Sequence, residues 1–332
     1  MAIHHRRRPT HALSTPVSSR ALPLALAGTR HDVFSPAAGR ISWYHDGPAD
    51  PPGGARPLVL VHSVNAAASA YEVKPLYDHY RRTRPVFALD LPGFGLSDRS
   101  RRAYSPRLMT DGLHAVIGEV QKACGPGPVD ALALSLGSEF LARAAAETPG
   151  AFASLAFVSP TGFNSARLRE GPAGSDRGLA GLYSVIGRPD VGGWLFRQLT
   201  RRGVIAYFLR RTWGSRDIDA GLLDYDFAVT RPEDAAHAPL RFLTGFLFSG
   251  DSGTIYRSLT QPVWVVHGVR GDFVNYTGLQ AFKDNPGWTV DILPTGALPH
   301  FEMLPEFVRL YDDWRARVGG LAGLRQTPGS NK

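Results

Sequence analysis

Residues 128–143 read Pro-Val-Asp-Ala-Leu-Ala-Leu-Ser-Leu-Gly-Ser-Glu-Phe-Leu-Ala-Arg. An apolar run, Val129 to Leu134, stops at Ser135, and an alanine-rich helical stretch, Glu139 to Glu147, follows almost at once. A strand that feeds a helix through so short a turn crowds the backbone, so the flanking positions must be small; Ala133 and Gly137 are. The turn lifts a serine hydroxyl clear of the sheet. The helix start beneath it favours negative charge. The competing reading is a serine that caps an ordinary helix.

Three further segments bear on that choice. Leu58 to Asn65 reads LVLVHSVN, a buried-strand run that ends at His62 before Ser63, Val64 and Asn65. Val86 to Asp98 reads VFALDLPGFGLSD, a strand that ends at Asp90 and enters a Pro-Gly-x-Gly turn. Pro262 to His267 is a strand followed by Gly268-Val269-Arg270-Gly271-Asp272. Val290 to Leu293 is the last strand, with Gly296, Pro299, His300, Phe301 and Glu302 after it, then a helix from about Pro305 to Val318.

With these motifs in this order, residues 40–160 and 258–318 resemble the α/β-hydrolase superfamily, in its capped, esterase- or lipase-like form with a Ser-Asp-His triad. The resemblance implies an α/β fold with a mostly parallel central sheet flanked by helices. It also implies a nucleophile at Ser135, an acid at Asp272 and a base at His300. The oxyanion hole would use the backbone N–H groups of Val64 and Leu136, with Ser63 and Asn65 as extra contacts. The chain departs from the pattern in several places. Ala133, Ser138, Ser63 and Pro299 stand where glycines are common, and Gly271 looks like an extra residue before Asp272.

The chemistry explains the residue types. A serine hydroxyl is a poor nucleophile at neutral pH, so an imidazole must take its proton. A carboxylate fixes the imidazole tautomer. His62 and His267 end strands and read as structural. Asp90 reads as a turn anchor, Asp98 as a loop cap, and Asp226 and Asp251 as solvent-facing or structural.

After Ser159-Pro160-Thr161-Gly162 the strand–helix alternation stops. Residues 163–257 read as a helical cap inserted between the sixth and seventh strands. Its pieces are Leu179–Ile186, Trp194–Leu199, Val204–Trp213 and Leu240–Phe248. Phe208 and Phe246 are its candidate pocket residues. The core divides into 21–162 and 258–318, with a basic arm at 1–20 and a flexible tail at 319–332. Leu22, Leu24 and Leu26 alternate as a first strand, against a rival signal-peptide reading of residues 21–28.

A net charge of +8 raises the question of nucleic acid, but residues 1–40 hold six arginines against Asp32 alone, so most of the excess is local. The expectation is no nucleic-acid partner, no transmembrane segment and a cytoplasmic location. Cys124 is the only cysteine, which excludes an intrachain disulfide and a cysteine metal cluster. Neither metal nor cofactor is expected. The expected activity is cleavage of a small, apolar carboxylic ester or thioester through an acyl-enzyme. Carbon–carbon bond hydrolysis on the same triad and a degenerate binding protein stay open. So does the choice between monomer and homodimer.

Overall fold

The computed structural model describes residues 22–325. The basic arm expected at 1–20 lies outside them.

Eight strands form one sheet: β1 (Thr29–Ser35), β2 (Gly39–Asp46), β3 (Leu58–Val61), β4 (Val86–Leu89), β5 (Val129–Leu134), β6 (Phe152–Val158), β7 (Val263–His267) and β8 (Trp288–Ile292). Their spatial order is β1-β2-β4-β3-β5-β6-β7-β8. The β1–β2 and β2–β4 pairs are antiparallel, and every other pair is parallel.

The middle strands are continuous apolar runs because both of their faces are covered. Val59, Val61, Ala131, Ala133, Phe157 and Val265 pack to one side, with α2 (Pro106–Cys124) and α3 (Gly137–Glu147). Leu58, Leu60, Leu132, Leu134 and Val266 pack to the other, with α1 (Lys74–Tyr80) and the long terminal helix described below. Helix α2 shows why such a segment starts and stops where it does. Ser105 Oγ accepts the Leu108 N–H at 3.3 Å, Pro106 opens the helix, and Gly125 follows its end.

Six helices lie between β6 and β7: α4 (Ala180–Ile186), α5 (Pro189–Leu199), α6 (Arg202–Trp213), α7 (Ala220–Val229), α8 (His237–Leu243) and α9 (Ser252–Arg257). The stretch expected as one helix over Leu240–Phe248 breaks after Leu243, where Gly245 takes φ 86°. A short helix α10 (Pro299–Glu302) follows β8, and α11 (Leu304–Arg325) closes the described chain. The expected tail at 319–332 is therefore helical to Arg325, and the rest lies outside the described residues.

Leu22–Leu26 is not the first strand; that strand is Thr29–Ser35. The earlier segment is held as irregular chain by side chains, since Tyr225 Oη donates to the Pro23 carbonyl at 2.8 Å and Tyr77 Oη to Ala27 at 3.1 Å. Pro23 has no N–H to give a ladder.

The chain leaves β3 toward β4 on one side and returns to β5 on the other, so the strand order reverses between β3 and β5. Their C-terminal ends adjoin there, with Val61 opposite Ala133. Such a reversal opens a crevice at the strand ends. Gly137 lets α3 start hard against it, because a Cβ there would collide with the His62 carbonyl.

At the opposite end of the sheet Asp130 is buried between Arg84 and Arg315, with Arg84 Nη2 at 2.5 Å and Arg315 Nη2 at 3.0 Å. Ser154 Oγ adds a hydrogen bond at 2.7 Å. Burial alone would raise the Asp130 pKa, but the two guanidinium groups and the serine hold it below the usual carboxylate value. Asp130→Asn leaves Arg84 buried without a counter-charge, and we expect a loss of about 3–5 kcal/mol at neutral pH. A depressed pKa stabilises the fold above the unfolded-state value and loses that contribution as pH falls through the folded-state value. Urea melts of the two proteins should therefore differ at neutral pH and begin to converge only as the pH drops below the ordinary carboxylate value of about 4.

Candidate active site

Ser135 stands one residue past β5, in register with the sheet: its N–H donates to the Val158 carbonyl at 2.8 Å. Its φ is 48°, in the left-handed region. A serine held there costs on the order of 1–3 kcal/mol, offset by the strand before it and the helix after it. It is not a helix cap. Leu136 occupies the cap position of α3, and no side chain caps that helix. Ser159, one past β6, has the same strained backbone at φ 47°, which nothing in the sequence signalled.

The Ser63–Asn65 loop after β3 faces this turn across the strand reversal. Val64 and Leu136 are buried, and neither backbone N–H has a protein acceptor among the described residues. The expected extra donors are differently placed. The Asn65 amide is committed, to Ser63 Oγ at 3.3 Å and to Glu72 Oε1 at 2.7 Å. Glu72 Oε2 also accepts the Ser63 N–H at 2.7 Å. Glu72 is fully buried, and burial pushes its pKa up against the pull of those hydrogen bonds. Sequence reasoning passed over this residue, which lies seven beyond Asn65 with no motif to mark it.

Ser135, Asp272 and His300 follow β5, β7 and β8 respectively, but no hydrogen bond joins any two of them. His300 opens α10 and is fully buried beside Phe301 and Phe307. Its Nε2 lies 2.8 Å from the Glu72 carbonyl, and its Nδ1 is buried without a partner. A carbonyl only accepts, so Nε2 carries the proton and Nδ1 the lone pair. Burial lowers the pKa to about 4, against the hydrogen bond to Glu72.

Asp272 is engaged elsewhere. Both of its oxygens meet the Arg211 guanidinium of α6, at 2.6 and 2.8 Å, in a pair largely open to solvent. Its N–H donates to the Arg211 carbonyl at 3.1 Å. The extra residue Gly271, at φ 85°, gives the loop the turn that seats it against α6. Glu302 and Asp251, the other carboxylates that could be set to orient His300, are not bonded to it either. Glu302 accepts the Gly296 N–H at 2.6 Å and pairs with Arg270, while Asp251 pairs with Arg143 at 2.7 Å.

The other strand-end residues behave structurally. His62 Nε2 accepts the Leu91 N–H at 2.9 Å. His267 Nδ1 donates to the Gly268 carbonyl at 2.9 Å, and its ring stacks on Tyr276. Asp90 accepts the Ala70 and Leu96 N–H groups, at 2.8 and 2.9 Å. Asp98 accepts the Ser100 N–H at 2.8 Å, as a loop cap does. Of the solvent-facing and structural alternatives only the structural one fits the buried Asp251, and the same holds for Asp226. It projects from α7 into full burial, Oδ1 has no partner, and burial plus the charge of Glu72 raise its pKa well above normal. Of the two candidate pocket rings, Phe208 is half exposed at 51%, and Phe246 packs edge-on against Tyr183 with Arg241 over its face.

Comparison with known proteins agrees with this architecture. A probable hydrolytic enzyme from Pseudomonas aeruginosa PAO1 superposes with a TM-score of 0.65 at 16% identity, covering 87% of this chain and 95% of its own. A carboxylesterase from Bacillus subtilis gives 0.61 at 18% identity, covering 87% and 91%. A meta-cleavage product hydrolase from Pseudomonas fluorescens IP01 gives 0.62 at 14% identity, covering 86% and 97%. At these identities the likeness is one of fold. No curated protein matches the chain. Residues 58–310 match the family model described as Alpha/beta hydrolase family. The chain therefore belongs to the alpha/beta hydrolase family.

Proposed function

We propose that this member of the family binds a small carbonyl compound, an ester or thioester, over Ser135 and cleaves it slowly, without a working Ser-His-Asp relay. One observation carries the reading. Ser135 keeps the strained turn and two free N–H groups nearby, while the imidazole of His300 is bound to the Glu72 carbonyl. Ser135 Oγ is the attacking atom. The oxyanion would form toward the Val64 and Leu136 N–H groups, with the start of α3 adding partial positive charge. No side chain among the described residues accepts the Ser135 proton in a hydrogen bond, so a solvent water takes that proton as Oγ bonds the carbonyl carbon. The leaving alcohol or thiolate gains a proton from water as its bond to carbon breaks, and a second water then hydrolyses the acyl-serine. The buried Glu72 beside the loop opposes the developing negative charge. An enzyme stripped of a triad member retains roughly 10³–10⁴-fold acceleration over water, and that sets the scale expected here. The helices between β6 and β7 act as the cap that excludes water.

A second reading is supported by the placement of Asp272 and His300 after β7 and β8, in triad order. Under it, a bound substrate draws both residues from their present partners. The protein is then a full serine hydrolase of esters or of carbon–carbon bonds.

A fluorophosphonate probe and a panel of nitrophenyl esters from acetate to long acyl chains separate the two. Ser135→Ala should abolish labelling and residual turnover. His300→Gln keeps a donor for the Glu72 carbonyl, and it should change turnover by less than about tenfold. A loss of several orders of magnitude in a folded His300→Gln protein would establish the second reading instead.

Asp272→Asn provides an independent check. An acid that orients the base costs up to about 10⁴ in turnover when it is removed. Here we expect near-wild-type kinetics and little change in thermal stability, since exposed ion pairs contribute little.

A further inference from the structure

Helix α4 reads Ala-Gly-Leu-Tyr-Ser-Val-Ile, carries no charge, and has no buried residue. It packs on α5 and α8, and its best-anchored side chain is Tyr183, edge-on to Phe246 and under the Arg241 guanidinium. Apolar helices are normally covered by something. Exposed apolar side chains recur along these successively packed helices: Leu179 59%, Leu182 44%, Val185 54%, then Trp194 58% on α5, and Tyr207 and Phe208 at 51% each on α6. A monomer seldom leaves so many large apolar side chains in water on three neighbouring helices unless they have a partner.

The charge carried by these helices is mainly positive. From α4 through α6 there are six arginines and a single acid, Asp190. Arg188 pairs with Asp190, Arg202 with Asp224 and Arg211 with Asp272. Arg197, Arg201 and Arg210 have no salt bridge among the described residues.

We propose that the face built by α4, α5 and α6 docks on an anionic lipid surface. Exposed Leu, Val, Trp and Phe beside unpaired arginines is the pattern of an element that sinks its apolar side below the headgroups. A second copy of this chain fits worse, because it would set arginines against arginines. A nucleic acid would satisfy the arginines and stack on Trp194, but it offers nothing to Leu179, Leu182 and Val185. No helix of the described residues is long and apolar enough to cross a membrane, so the contact is peripheral. The inference is independent of the chemistry at Ser135.

Sedimentation of the full chain with phosphatidylcholine vesicles, with and without phosphatidylglycerol, tests it. The protein should pellet with the mixed vesicles and stay in solution with phosphatidylcholine alone. The mixed vesicles should also shift its tryptophan emission to the blue, and Trp194→Phe should remove the shift. Leu182→Asp with Val185→Asp should abolish binding. Reversing Arg197, Arg201 and Arg210 to Glu should weaken it by at least about a hundredfold, since each arginine near an anionic leaflet is worth about fivefold. All six positions are on the surface, and circular dichroism confirms that each variant folds. Equal partition to neutral vesicles, or binding unchanged in the Leu182/Val185 variant, would overturn the proposal. So would concentration-dependent dimerisation, or retention of single-stranded RNA, by a chain that ignores vesicles.

Discussion

Burial of both sheet faces is the constraint from which the rest follows. Strands β3 to β7 have no wet side, so polar chemistry can appear only where they end. His62, Asp90, Ser135, Ser159 and His267 each stand at such an end, where the chain leaves the ladder. The strand reversal between β3 and β5 then selects one pair of ends, and the Ser63–Asn65 loop and Ser135 meet there.

Within that crevice Glu72 governs the arrangement. Its carboxylate holds the loop through Ser63 and Asn65, and its backbone carbonyl accepts a hydrogen bond from His300 Nε2–H. One residue thus stiffens the would-be oxyanion loop and occupies the would-be base. Ser135 keeps its strained backbone, while Asp272 and His300, expected beside it, have other partners.

The strands were legible as apolar runs, and the fold that arranges them was implied by the resemblance of the motifs at their ends to a known superfamily. Apolar runs bounded by Gly, Pro and polar residues read directly as strands, and the end of the strand–helix alternation after Gly162 marked the inserted helices. Ser135 was legible too, since a tight turn dictates its own small neighbours. The partnerships were not. Whether Asp272 faces an imidazole or Arg211 depends on how α6 packs against the loop after β7, over sixty residues away in sequence. Motif order places backbone positions, and a side chain's partner is decided by three-dimensional competition. The Leu22–Leu26 alternation misled because two tyrosine hydroxyls anchor that segment without any ladder.

Asp226 and Glu72 are two buried carboxyl groups, one on α7 and the other in the turn that precedes α1, so ionisable groups lie on both sides of the seam between the inserted helices and the sheet. Burial raises the pKa of both, and the charge of Glu72 raises that of Asp226 further. A carboxyl whose pKa is raised by folding favours the folded state in acid and withdraws that support as the pH rises. The seam is thus a place where the fold answers to acidity, while the apolar faces of the sheet do not.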